Sequence, residues 1–271
     1  MKSPGGRSIR RPALRLAALW LALGPAAAVC AGEQRARYLA EGADAALFDQ
    51  YDNDGYSLEV RPAAGGSIAL SVRVSDAPLE SAAPFPPPGP RDADLPAAPE
   101  RDAFAAGAVH GSRLLSEAVS RLLVAVARRT SYDPDRGRPQ GPAEVFASRR
   151  ADCVGFAELA VDLLRRLGVR ARTVQGIVRT GTGEPAHEAR IGGSYHRWIE
   201  VHYPDRGWVF SDPAASINGV DARYLPFSSR SLLRPRDLTL VFLDQSGSLA
   251  YAPAAAPPLR ERPPRAKDAG R

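Results

Sequence analysis

The stretch Asp152-Cys-Val-Gly-Phe-Ala-Glu-Leu-Ala-Val-Asp-Leu-Leu-Arg-Arg-Leu167 decides how this chain is read. Its apolar positions Phe156, Leu159, Ala160, Leu163, Leu164 and Leu167 recur at the spacing of one helix face. Asp152 stands where an N-cap carboxylate is favoured, Arg165 and Arg166 fall in the last turn, and Gly168 suits a left-handed helix end. Cys153 therefore opens an amphipathic helix. A thiol in a first turn faces unpaired backbone N–H groups and the positive end of the helix dipole, and both favour thiolate over thiol. That is the setting of a cysteine nucleophile; the bland counterpart is a buried cysteine acting as a small apolar residue.

Outward from this helix, Leu115, Val119, Leu122 and Val126 mark a second amphipathic helix over Arg113 to Arg129, and the run from Tyr132 to Pro139 forces a loop after it. Downstream, Val169 to Thr180 reads as a strand, followed by a Gly/Thr-rich connection to Gly193. Tyr195 to Tyr203 then alternates, with Tyr195, Ile199, Val201 and Tyr203 on one face and His196, Trp198, Glu200 and His202 on the other. A turn at Pro204 to Gly207 returns the chain as a strand, Trp208 to Ser211, which Asp212-Pro213 ends. A helix packed across an antiparallel sheet is an α+β arrangement. His196 opens one strand and Asp212 closes its hairpin partner, so both fall near one end of the sheet, where the Cys153 helix begins. Cys153, His196 and Asp212 are thus the candidate nucleophile, base and orienting acid of a thiol acyl transferase, with the Cys153 backbone N–H a candidate oxyanion donor.

Four stretches carry a resemblance: Ala-Asp-Cys-Val-Gly-Phe-Ala-Glu-Leu from 151, Leu-Leu-Arg-Arg-Leu-Gly-Val-Arg-Ala-Arg-Thr-Val-Gln-Gly from 163, Tyr-His-Arg-Trp-Ile-Glu-Val from 195 and Gly-Trp-Val-Phe-Ser-Asp-Pro from 207. Over roughly Ser112 to Phe227 the chain resembles the transglutaminase-like family of papain-like folds. In that family the cysteine opens a helix, the histidine stands two residues before a tryptophan, and the aspartate precedes a proline. The resemblance implies a papain-like, transglutaminase-like α+β core with its Cys-bearing helix on an antiparallel sheet. It implies that Cys153 is the nucleophile, His196 the base and Asp212 the third member, acting through a thioester on an amide or peptide bond. Protease, amidase and transglutaminase chemistry share these residues. The substrate expected is a protein or peptide. Where the family usually has glycine two residues before the cysteine, this chain has Ala151. Tyr132 and Gln140 lie in the region of an oxyanion-hole side chain without matching one. The rival from another class is a binding or scaffold module that keeps the fold without turnover.

The first residues carry Lys2, Arg7, Arg10, Arg11 and Arg15 and no acid, followed by an apolar run from Leu16 to Val29 and small residues up to Ala31. This is a secretory signal pattern over 1–31, with cleavage expected after Ala28 or Ala31 and an extracytoplasmic destination, periplasmic or secreted. Val29 before Cys30 makes a poor lipoprotein box. The whole chain has 36 basic and 30 acidic residues; without the first 31 it has 31 and 30, a net charge of +1. No basic stripe with interleaved aromatics remains, so nucleic acid is not an expected partner, and no membrane span is expected after cleavage. Cleavage after Ala31 leaves Cys153 as the only thiol, which excludes an internal disulfide.

Residues 32–76 read as a small β-rich segment, with a hairpin of Tyr56, Leu58 and Val60 against Ile68, Leu70, Val72 and Val74 whose apolar face packs on the main domain. Asp49 to Gly55 has the look of a calcium loop but lacks its first acid and distal glutamate, so a plain turn is expected. Residues 77–100, with eight prolines between Ala77 and Pro99, read as an extended linker, 101–249 as the transglutaminase-like domain and 250–271 as a disordered tail. His110, His187 and His202 have no companions at metal-ligand spacing, so no metal or other cofactor is expected. Trp198 and Trp208 suit either an acyl-binding groove or the core.

Overall fold

The structure, a computed structural model, describes residues 32–43, 45–87, 94–134, 137–179, 188–190, 195–228 and 238–247. The expected signal segment, most of the Gly/Thr-rich connection and the expected tail lie outside these residues. In chain order come β1 (Glu33–Glu41), β2 (Tyr51–Asn53), β3 (Tyr56–Pro62) and β4 (Ile68–Ser75). Next are α1 (Pro99–Ala108), α2 (Leu115–Arg129), β5 (Ser131–Tyr132), α3 (Pro142–Ser148), β6 (Arg150–Ala151) and α4 (Cys153–Arg166). β7 (Ala171–Val178), β8 (Glu188–Arg190), β9 (Tyr195–Tyr203), β10 (Gly207–Ser211), β11 (Tyr224–Pro226) and β12 (Thr239–Ser246) complete it. Among the described residues, six strands form one antiparallel sheet in the order β2-β3-β4-β1-β12-β8, and four form another in the order β10-β9-β7-β11.

The α+β arrangement has three layers, with the four-stranded sheet in the middle. On one side Ile199, Val201, Tyr203 and Val209 join the helices in one core; on the other Val174, Ile177, Trp198, Phe210 and Tyr224 join Tyr38, Tyr56, Leu58, Leu70 and Phe242 of the six-stranded sheet in a second. The alternation of β9 holds from Trp198 to Tyr203, whereas Tyr195, expected beside Ile199, packs against Phe227 in the core that holds Trp198. Trp198 and Glu200, on the face opposite Ile199, are both fully buried because the six-stranded sheet covers them. Asn53 Nδ2 donates to Glu200 at 2.8 Å and Arg172 Nε pairs with it, which satisfies a carboxylate that burial would otherwise penalise.

α4 is the central helix. Its expected face, Phe156, Leu159, Ala160, Leu163 and Leu164, is buried, but so are Ala157, Val161, Asp162 and Arg166, because α1, α2 and α3 cover its outer side. Arg166, the last-turn charge, has a side chain only 4% exposed. It donates to Asp162 at 2.9 Å, to Asp102 at 3.0 Å and to the Pro96 carbonyl at 3.0 Å, while Arg101 reaches Asp162 at 2.9 Å. This network ties α1 to α4. Gly168, with φ +80°, ends the helix as expected.

The β-rich segment is built into the larger sheet. β1 pairs with β4 on one side and with β12, from the far end of the described chain, on the other. The expected hairpin is β3 and β4, in the register Leu58 to Val72 and Val60 to Leu70. The Asp49 to Gly55 run turns between β2 and β3, with Gly55 at φ +74° and Asp54 held by Arg206 at 2.9 Å. The proline-rich stretch is fastened rather than free. Ser81 Oγ and the Ala82 N–H donate to Asp205, the Phe85 N–H donates to Arg113, and the buried Ala83 carbonyl accepts from Leu115 N–H. Its few apolar side chains, Leu79, Ala83 and Phe85, supply the contacts that a purely polar spacer would lack. α1 begins inside this stretch, with Pro99 in the first turn, where a missing N–H costs nothing.

Gly176 of β7 lies opposite His196 of β9 and Pro226 of β11. A methyl group there would meet Trp198 Cη2 at 2.6 Å, Pro226 Cα at 2.9 Å and the Leu225 carbonyl closer still, so the residue permits β11 to approach.

Three stability predictions follow from these contacts. Asp162→Ala leaves Arg101 and Arg166 facing each other without their shared acid and should lower stability by about 3 kcal/mol, with a fall in Tm on the order of 10 °C. Removing the exposed Arg35 partner of Glu33 should leave the melt at its wild-type value. Gly176→Ala should cost about 2 kcal/mol by overpacking. Thermal melts of the three variants check all three values.

Candidate active site

Asp152 takes the N-cap position of α4 in extended geometry (φ −86°, ψ −171°), and its carboxylate accepts from the Val154 N–H at 2.8 Å and the Gly155 N–H at 3.2 Å. Those are the first-turn donors expected to face the Cys153 sulfur. The cap has taken them, so they are not what polarises the thiol. Burial pushes the Cys153 thiol up, and the Asp152 charge adds to that. A hydrogen bond to His196, the His196 charge and a hydrogen bond from the Arg197 N–H outweigh both and hold it below its ordinary value.

His196 is the second residue of β9, and Asp212 follows the last residue of β10. Antiparallel pairing of β9 with β10 brings the two side chains together, with His196 Nε2 2.6 Å from Asp212 Oδ2. Asp212 is fully buried; its Oδ1 accepts from the Ala214 N–H at 2.9 Å, and its Oδ2 accepts also from the Tyr224 hydroxyl at 2.8 Å. With Nε2 committed to Asp212, Nδ1 is the ring nitrogen left for the thiol. Burial opposes a charged imidazole, but the hydrogen bonds and charges of Asp212 and Cys153 overcome it and raise His196 to about 10. Trp198 lies beneath the imidazole, nearly parallel to it at 21° with centroids 6.1 Å apart.

The three residues singled out by sequence therefore meet. Gln140, Asp152, Cys153, Val154, Gln175, Tyr195, His196 and Arg197 line a cleft of about 250 Å³. Gln140 is the one of the two upstream residues that reaches it: its Oε1 accepts from the Asp152 N–H at 3.1 Å and fills the space where a side chain on Gly155 would stand. Tyr132 is exposed and stacks on Phe156 at 6.5 Å. Ala151 sends its methyl into the helical core and does not line the cleft. Trp198 is core rather than groove; Trp208 lies away from the cleft under Arg172, 4.3 Å from its ring, and beside His202 at 5.2 Å. The His110 carbonyl accepts from Arg121, and His187 lies outside the described residues. Among the described residues no three His, Cys, Asp or Glu side chains converge as a metal site, and no helix is long and apolar enough to cross a membrane.

Sequence reasoning missed Tyr224 and Arg197. Arg197 is bonded to Glu158 at 2.8 Å and Gln175 at 3.3 Å, and it alternates with His196 on a strand where only the histidine carried a motif. Tyr224 sits on a three-residue strand with no periodic pattern to announce it.

Residues 102–213 match the sequence model of the transglutaminase-like superfamily. Uncharacterized protein YebA of Bacillus subtilis is 32% identical over 77 residues, 26% of this chain, and the match spans only 10% of that relative's length. Among solved structures, a candidate cysteine protease from Cytophaga hutchinsonii is similar with a TM-score of 0.42 at 14% identity, over 80% of this chain and 88% of its own. The periplasmic domain of TgpA from Pseudomonas aeruginosa has a TM-score of 0.36 at 18% identity, over 68% of this chain and 90% of its own. The matched residues, 102–213, hold Cys153, His196 and Asp212 alike, and over this stretch the chain is similar to the transglutaminase-like superfamily.

Proposed function

We propose that the protein is an exported thiol hydrolase or acyltransferase that acts on amide or peptide bonds of a protein or peptide substrate. The observation that carries this reading is the hydrogen-bonded array in which His196 joins Cys153 to the buried Asp212 carboxylate at the wall of an open cleft. The pattern over residues 1–31 supports export.

In this reading the Cys153 thiolate adds to the carbonyl carbon, and the Cys153 backbone N–H donates to the oxyanion. Collapse breaks the C–N bond, the imidazolium gives its proton to the leaving amine, and a thioester remains. Water or a second amine then attacks the thioester while His196 takes its proton; the new acid or amide departs and the thiolate returns. Asp212 keeps the imidazole in one tautomer and balances its charge. Hydrolysis and transamidation differ only in the second nucleophile.

The test is the rate of iodoacetamide labelling of Cys153 against pH in the wild-type chain and in His196→Ala. Because the imidazolium lowers the thiol's value, the thiolate should persist as pH falls, and wild-type labelling should stay fast well below the ordinary thiol pKa of about 8.5. His196→Ala should move the midpoint up toward that value. If the two titrate alike, the reading fails. Once an amide or peptide substrate is found, Asp212→Asn should lower kcat by at least about 100-fold by releasing the tautomer, measured as steady-state turnover.

A further inference from the structure

Asp212 is fully buried, and three donors share its carboxylate. The Ala214 N–H holds Oδ1, while Oδ2 takes both His196 Nε2 at 2.6 Å and the Tyr224 hydroxyl at 2.8 Å. With both oxygens fixed the carboxylate cannot turn, so the direction in which it holds the imidazole is set. Tyr224 is only 4% exposed, and its ring meets that of His196 at 68° with centroids 6.0 Å apart. Burial, followed by the Asp212 charge and hydrogen bond, pushes its hydroxyl far above the usual phenol range, so it remains a donor at every working pH.

Tyr224 also lies beyond residues 102–213, in a segment gripped by the six-stranded sheet. Tyr56 of β3 donates its buried hydroxyl to the Tyr224 carbonyl at 2.6 Å, and Tyr38 of β1 donates to the Ala222 carbonyl at 2.7 Å. We propose that Tyr224 is a positioning residue for the Cys153 site, acting through Asp212, and that the N-terminal strands set its place through Tyr56. The proposal rests on the thiolate–imidazolium reading given above. Without the Tyr224 hydroxyl the carboxylate loses one of the donors that fix its direction, so its hold on the His196 imidazole loosens and the imidazole's hold on the Cys153 sulfur with it.

The experiment is the same labelling titration on the full chain, with a melt for each variant, comparing wild type, His196→Ala, Tyr224→Phe and Tyr56→Phe. Tyr224→Phe should raise the labelling midpoint part of the way to that of His196→Ala and slow labelling at pH 7 about tenfold, the size of one charge-assisted hydrogen bond. Tyr56→Phe should move it less and in the same sense. A folded Tyr224→Phe with the wild-type midpoint overturns the proposal, whatever its Tm, because a packing residue alone would lower the melt and leave the midpoint in place. Should Tyr224→Phe give no cooperative melt, Tyr56→Phe decides, a raised midpoint supporting the proposal and a wild-type one overturning it. An ordinary wild-type midpoint, or one unmoved by His196→Ala, removes the parent reading and this one with it. That pattern differs from a depressed wild-type midpoint with an unmoved Tyr224→Phe.

Discussion

A carboxylate buried without any exposure is the constraint on which the rest of the site depends. Asp212 can be buried because protein groups replace the water it has lost: a backbone N–H, a phenol and an imidazole. Each donor comes from a different part of the chain. The Ala214 N–H belongs to the turn after β10, the imidazole to β9 and the phenol to β11. Neutralise that charge and the imidazole has no reason to stay protonated beside a thiol. The lowered Cys153 and the raised His196 are two readings of one electrostatic fact.

The layers exist to keep that arrangement dry on its inner side and open on its outer side. β9 runs between two cores, which is why a strand with polar residues on one face can bury Glu200 and Trp198 completely. The imidazole stands at its beginning, where Trp198 closes the space beneath it and the cleft opens beside it. Gly176 makes the close approach of β11 feasible, and β11 brings Tyr224. α4, pinned by Asp162 and Arg166 to α1, presents Cys153 at a fixed height above the sheet.

Much of this was legible in the sequence, for reasons that are local. The α4 helix, the β3–β4 hairpin and the β9–β10 hairpin each announce themselves by periodicity and turn residues, and the pairing of β9 with β10 brings His196 and Asp212 together. What could not be read depends on pairing between distant segments. β11 is three residues long and β12 carries no clean alternation, so their sheets are defined by partners elsewhere. Nothing nearby in the chain says that the six-stranded sheet will cover the face of β9 that carries Trp198 and Glu200. The source of the thiol's polarisation was misjudged for a related reason: the capping value of Asp152 was plain, but its consequence, that the cap consumes the donors, is visible only in three dimensions.

The first strand of the described fold is completed by its last. β1 lies between β4 and β12, and Arg37 reaches Asp244 across 207 residues of chain. A polypeptide made from its amino end therefore displays Cys153 long before the sheet that grips residues 222–224 can close. During that interval β1 has an open edge, Tyr38 has no carbonyl to hold, and the cysteine is an ordinary thiol. Contacts this far apart in sequence also form slowly. Chain order itself thus delays completion of the sheet behind Cys153 until its closing strand has been made.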